Sequence, residues 1–265
     1  MSFSVPKVMG IMNVTPDSFY ASSRQQSEQD VAERCNQIVA EGGDIIDVGA
    51  CSTRPGAEVP SEAEEMERLR RALTVVRREQ PEVLVSVDTF RPDVARMAVE
   101  EYGADIINDV GAVAFQFSAH DSKNSILKMF RMVSRLRVPY VLTSHCATLE
   151  EVLLGFARDV QQLRDMGQND IILDPGFGFG KTMEQNYQLM AELEKLSVMQ
   201  LPLLVGVSRK SMIQKLLGCT AEESLCGTIA LNTFALMHGA SILRVHDVRQ
   251  AVECIRIVTS LTHQE

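Results

Sequence analysis

VLVSVDTFRPDVARMAVEEYGADIINDV, residues 83–110, decides the fold. It opens on a short unbroken apolar run (83–89), passes through a segment of helical pattern and closes on a second run, ADIINDV (104–110). Unbroken rather than alternating apolar character is what a parallel strand covered on both faces requires. The same unit recurs on either side. VMGIMNV (8–14) and DIIDVGA (44–50) precede it, and VPYVLTS (138–144), DIILDPG (170–176), PLLVGVS (202–208) and SILRVHDV (241–248) follow. Eight such runs with helical segments between them in 265 residues predict a (β/α)8 TIM barrel in the α/β class. The alternative, an open doubly wound sheet, lacks a G-x-G-x-x-G after the first run. No composition break or Pro/Ser-rich linker divides the chain, so residues 1–265 read as one domain.

The intervening segments carry helix signals. Ser61 and Glu64 form a capping box ahead of a stripe of Met66, Leu69, Leu73 and Val76, and Thr148 and Glu151 repeat it ahead of Leu153, Phe156, Val160 and Leu163. Val31, Ile38 and Val39 face inward, with Gly42-Gly43 closing their helix. The Arg-rich stretch 68–78 reads as a solvated face paired through Glu64–Arg68 and Glu67–Arg71. Between the fourth and fifth runs, Phe115, Phe117 and the polar stretch His120–Asn124 precede a short helix expected over 125–134. Within 209–240, two helical pieces join around Gly218.

Composition narrows the function. The chain is 45% hydrophobic and 23% charged, ordinary for a globular protein. Lys and Arg total 26 against 35 Asp and Glu, a net charge of −9, which runs against binding a nucleic-acid duplex. No apolar run approaches the ~18 residues a bilayer span needs. Residues 1–12 lead too directly into a patterned run to read as a signal peptide, which points to the cytoplasm. Cys35, Cys51, Cys146, Cys219, Cys226 and Cys254 show neither a CxxC pair nor zinc-like spacing.

In a barrel of this kind chemistry sits at the C-terminal ends of the strands. There the runs deliver Asn13, Cys51-Ser52-Thr53-Arg54, Asp88, Asn108-Asp109, His145, Asp174, Ser208-Arg209-Lys210, and Arg244 with His246. One buried Asp or Asn is ordinarily structural, but a ring of them on one mouth is costly without a ligand. Asp88, Asn108 and Asp174 offer acceptors suited to a flat heterocycle with several N–H groups. Arg244, His246, Lys210, Thr53 and Arg54 offer donors suited to phosphate or carboxylate oxygens. A polar ring attached to an anion is the expected ligand. PGFGFGKT (175–182) looks like a Walker A loop, but Pro175 stands where that motif needs Gly, so it reads as a Gly-rich βα loop. Cys51 and Ser52 lack a triad partner at recognisable spacing, so Cys51 reads as packing.

Seven segments in co-linear order carry a resemblance: MGIMNVTPDSF (9–19), DVGACSTRPGAE (47–58), VSVDT (85–89), DIINDV (105–110), LDPGFGFGK (173–181), LLVGVSRKS (203–211) and RVHDV (244–248). Together they resemble the dihydropteroate synthase family of pterin-binding barrels. The resemblance implies condensation of 6-hydroxymethyl-7,8-dihydropterin pyrophosphate with p-aminobenzoate, giving 7,8-dihydropteroate and pyrophosphate in folate biosynthesis. Sulfonamides imitate the aminobenzoate in that family. It also implies pterin-binding roles for Asp88, Asn108, Asp174 and Lys210, and pyrophosphate contacts from Thr53, Arg244 and His246. Arg54, Pro55, Phe179, Lys210 and Ser211 take the aminobenzoate pocket, and Asn13 becomes a ligand of Mg2+. Catalysis then falls to Lys210, Arg244 and His246. Homodimerisation is implied in the same way.

The chain departs from the family pattern in its front loops. Asp17-Ser18-Phe19-Tyr20-Ala21-Ser22-Ser23 stands where the family continues DSFSDGG, so Ala21 replaces an acidic residue. Ala50-Cys51 precedes STRPG where Gly-Glu or similar is usual, and Thr143-Ser144-His145-Cys146 leads quickly into a helix where M-H-M-x-G is common. Two rivals stay open on these grounds. A non-catalytic pterin-binding paralogue rests on the altered loops. A methyltetrahydrofolate:corrinoid methyltransferase would have no use for Thr53, Arg54 and Lys210 in their segments.

Overall fold

The computed structural model of the protein describes residues 4–14, 24–51, 59–111 and 119–262. All eight apolar runs form strands: β1 (Lys7–Asn13), β2 (Ile45–Gly49), β3 (Leu84–Asp88), β4 (Ile106–Asp109), β5 (Tyr140–Thr143), β6 (Ile171–Asp174), β7 (Leu204–Val205) and β8 (Ile242–Val245). They pair in parallel in the order β6-β5-β4-β3-β2-β1-β8-β7. A parallel bridge between Leu173 and Leu203, where Leu173 N donates to Pro202 O at 2.9 Å, links β6 to the β7 edge and closes the barrel.

Helices cover the outside: α1 (Arg24–Ala40), α2 (Glu62–Glu79), α3 (Pro92–Tyr102), α4 (Ala119–Leu136), α5 (Leu149–Asp165), α6 (Met183–Ala191) with a 3-10 segment (Leu193–Met199), α7 (Ser211–Leu217), α8 (Leu225–Met237) and α9 (Val248–Thr262). Both expected capping boxes form, and Thr182–Gln185 makes a third. Gly42, at φ +93, and Gly43 end α1 through bonds back to Val39 O and Ile38 O. Gly218, at φ +63, separates α7 from α8 as the two-piece reading requires. Two expectations change. The helix expected over 125–134 extends through Ala119–Leu136, because no Gly or Pro in that stretch stops it. Ion pairing along the arginine-rich face of α2 is only half realised: Arg71 bonds Glu67 (2.6 Å), but Glu64 is held by the Ser61 amide and hydroxyl of the cap. Arg68 turns instead to Ala50 O at 3.3 Å.

Side chains on a strand alternate faces, and here the alternation separates two cores. Ile46, Val48, Val85, Ile107, Leu173, Leu243 and their like pack outward against the helices. Met9, Ile45, Leu84, Ile106, Val141, Ile172, Leu204 and Ile242, one from each strand, plug the barrel interior. Burying an aliphatic side chain of this size contributes about 1.5–3 kcal/mol, so this layer is a rigid plug rather than a channel. Every inward residue above it is offered to a space closed from below.

Candidate functional site

Counting two residues on from the plug gives the next inward layer: Ile11, Asp47, Ser86, Asn108, Thr143, Asp174, Gly206 and Arg244. Two further on lie Asn13, Gly49, Asp88, His145, Ser208 and His246. The lower layer is thus apolar at Ile11 and Gly206 and polar elsewhere. Arg244 reaches across β1 to β2 and β3, its Nε donating to Asp47 Oδ2 (2.7 Å) and its Nη2 to Asp88 Oδ2 (2.7 Å). Asn108 Nδ2 donates to the same Asp47 oxygen at 3.1 Å. Asp47 Oδ1, Ser86 Oγ, Asn108 Oδ1 and Thr143 Oγ1 are buried without a partner. Four unsatisfied polar atoms in one layer are costly unless a ligand or water meets them.

Reading for strand ends alone passes over Asp47, Ser86 and Thr143. Parity finds them, since Asp47 follows the plug residue Ile45 as Arg244 follows Ile242. Asp109 has the opposite parity and faces outward. Tyr140 Oη (2.7 Å) and Gly111 N (2.7 Å) donate to its two oxygens, while burial raises its carboxyl to about 6.

On the β6 side, Gly176 N donates to Asp174 Oδ1 at 2.7 Å. Gly176 sits at φ +69, and a Cβ there would lie 1.9 Å from Ser144 O, so the turn that bonds Asp174 demands glycine. Burial pushes Asp174 upward against the opposing pull of Lys210. The 175–182 loop is no phosphate cradle of the Walker type: Lys181 Nζ folds back onto Gly176 O (2.8 Å), and Thr182 caps α6. Lys210 lies over the Phe179 ring, Nζ to centroid 4.5 Å, and also donates to Phe177 O. Burial lowers its ammonium to about 8. His145 packs 5.5 Å from the same Phe179 ring. Ser211 opens α7 beside Lys210 and is exposed.

At the lip, His246 Nδ1 shares a hydrogen bond with Ser208 Oγ (3.0 Å), whose oxygen also accepts from His246 N (3.1 Å). Burial and then Arg244 lower this imidazole to about 4, so it is neutral near pH 7. Arg209 leaves the ring it was expected to join. Its backbone takes φ +54, and its guanidinium grips Asp247 (2.9 and 2.8 Å) and the carbonyls of Ala221 and Glu222. Cys51 is no nucleophile, since burial above all pushes its thiol up to about 12. Behind it the fully buried Glu65 accepts from Thr89 Oγ1 (2.6 Å) and Arg91, which also donates to Pro60 O (2.6 Å). Thr53, Arg54, Pro55 and Ala21 lie outside the described residues.

Among the described residues no three His, Cys, Asp or Glu side chains gather as a metal site. Asn13 Oδ1 and Asp88 Oδ2 nevertheless flank one small space. A Cβ on Gly49 would lie 3.6 Å from the first and 3.7 Å from the second. Such hard oxygens fit Mg2+, which takes one or two protein ligands and completes its shell with water and phosphate.

The site therefore combines an acceptor-rich floor, an aromatic wall beside a lysine, an arginine joining the floor to Asp88 above it, and an imidazole lip. Residues 9–246 match the family described as pterin binding enzyme. The dihydropteroate synthase of Escherichia coli (strain K12) is 38% identical over 262 residues, covering 97% of this chain and 92% of that protein. A dihydropteroate synthase structure from Xanthomonas albilineans with 4-aminobenzoic acid superposes with a TM-score of 0.86 at 34% identity, covering 100% of this chain and 96% of that one. One from Coxiella burnetii in complex with pteroic acid gives 0.82 at 35% identity, with the same coverage.

Proposed function

The chain belongs to the pterin binding enzymes, among the dihydropteroate synthases, and from that premise we infer how its own residues run the reaction. As a transferase of folate biosynthesis it joins 6-hydroxymethyl-7,8-dihydropterin pyrophosphate to p-aminobenzoate and releases pyrophosphate. The observation that carries the residue assignment is the layered interior, with unpartnered acceptors at the floor and donors at the lip. The pterin edge, rich in N–H donors, belongs on Asp174 and Asn108, with Asp88 beside them. Lys210 flanks the ring, and the diphosphate extends toward Arg244, His246 and Thr53. Arg54, Pro55, Phe179, Lys210 and Ser211 take the aminobenzoate.

In the transition state the C–O bond to the diphosphate lengthens, and positive charge develops on the methylene carbon, where the electron-rich dihydropterin shares it. Arg244 and His246 donate to the departing oxygens, interactions that strengthen as charge builds. A neutral imidazole suits this part, because it donates through Nε2 while Ser208 holds Nδ1. The aryl amine attacks with its lone pair and then loses a proton, and its low basicity removes the need for a strong base. What remains is positioning and exclusion of water. Mg2+ bound through Asn13 would offset charge on the leaving diphosphate. We take the chain to act as one barrel unit over 1–265, in the cytoplasm and as a homodimer. A pyrophosphate-release assay tests the whole: release strictly dependent on both substrates supports it, and pterin binding without turnover overturns it.

A further inference from the structure

Asp47 is a fully buried carboxylate to which no role above is given. It sits in the layer directly over the apolar plug, level with Ile11 on β1 and Ser86 on β3. A core position needing only stability would do better with an aliphatic residue, since an ionised buried group with an unmet oxygen is costly. Asp47 Oδ2 instead takes two donors from opposite sides of the mouth, Arg244 Nε and Asn108 Nδ2, while Oδ1 is unpartnered.

These bonds constrain both partners. An Asn side chain has a donor end and an acceptor end, and donation to a carboxylate leaves no choice between them. With its nitrogen on Asp47, Asn108 turns Oδ1, buried and unpartnered, toward the ligand space. Arg244 is fixed by two carboxylates through Nε and Nη2, which sets the plane of its guanidinium. We propose that Asp47 is a positioning residue that sets the hydrogen-bond polarity of the floor. It keeps Asn108 an acceptor, so the site selects a heterocycle edge that presents N–H, and it ties that edge to Arg244, which rises from the same layer to Asp88. The proposal rests on the floor being the pterin site.

The test is Asp47→Ala in the full-length protein. An alanine at 47 offers no acceptor, so Asn108 is free to flip and Arg244 loses a charge partner. The expected result is about a tenfold or greater rise in both the Kd and the KM for pterin pyrophosphate, with the KM for aminobenzoate within about twofold of wild type. A second readout is one that a merely structural role would not move. Wild type should prefer a pterin with a ring lactam N–H over a 2,4-diaminopteridine, whose corresponding ring nitrogen is an acceptor, and the variant should lose most of that preference. Should the variant not fold, side-chain amide exchange of Asn108 in the wild type decides: slow exchange supports the proposal and fast exchange overturns it. Unchanged affinity and preference in a folded variant overturn the role of Asp47 alone, whereas a wild type that binds no pterin overturns the floor reading with it.

Discussion

Replacing Asp174 by Asn changes one atom, and the structure says which way that atom will face. Gly176 N–H, fixed by a left-handed turn, donates to Asp174 Oδ1 at 2.7 Å. The amide oxygen of an Asn must take that bond, which puts its NH2 where Oδ2 faced the ligand. A pterin N–H then meets a donor. Losing a charge-assisted hydrogen bond costs about 1.5–3 kcal/mol, and stranding the ring N–H adds roughly 1 kcal/mol. The sum, about 2.5–4 kcal/mol, corresponds to pterin binding weakened roughly 60- to 700-fold. Asp174→Ala leaves room for a water to accept the N–H and should be no worse than Asn.

Apo stability should move the other way. Burial raises the Asp174 carboxyl above its ordinary 3.8, so the folded chain holds that proton more tightly than the unfolded one. The contribution of Asp174 to stability therefore falls as pH rises above the ordinary carboxylate range, and a neutral Asn escapes that loss. Titration calorimetry with pterin pyrophosphate and thermal melts at pH 7 read both effects. An Asp174→Asn protein that binds within threefold of wild type would refute the orientation argument, and one that melts much lower would refute the claim that the buried carboxylate costs stability.

Arg54→Ala is expected to raise the KM for aminobenzoate while sparing pterin pyrophosphate binding; equal loss of both in steady-state kinetics and calorimetry would misplace that loop. Tyr140→Phe removes one of two donors from the outward-facing Asp109, costing about 1–3 kcal/mol in stability. Thermal melts should show the drop, and the KM for each substrate should not change. His145 and His246 are both lowered by burial to about 4 from 6.5, so between these values the unfolded chain binds more protons. Their contribution to stability should then rise with pH from about 4 to 6.5 and be lost on acidification. His145→Gln, which keeps a donor for Val110 O, should flatten part of that slope in melts across the range.

What the sequence disclosed divides by the range of the interaction. Strands buried on both faces and helices closed by a capping box are set by neighbours within a few residues. All eight runs and the Ser61 and Thr148 caps are accordingly legible. Arg244 and His246 stand out because charge and imidazole interrupt an apolar run. Asp47 interrupts one too, inside a segment that carries the family resemblance, but its partner Arg244 lies 197 residues away. Only the closed barrel makes that pairing visible. Arg209 misleads for a local reason: a non-glycine residue at φ +54 turns its side chain away from the mouth, and no spacing announces it. The start of α4 at Ala119 is marked in the sequence by Ser118 with Asp121 three residues on, a cap signal that the expectation of 125–134 passed over.

The central claim is that one mouth grips the heterocycle at its floor and the diphosphate at its lip. A crystal soaked with pterin pyrophosphate, p-aminobenzoate and Mg2+ tests it most directly. The account predicts ring N–H groups on Asp174 and Asn108 Oδ1, with diphosphate oxygens on Arg244 and His246. A pterin lying reversed, or bound away from these residues, would contradict it.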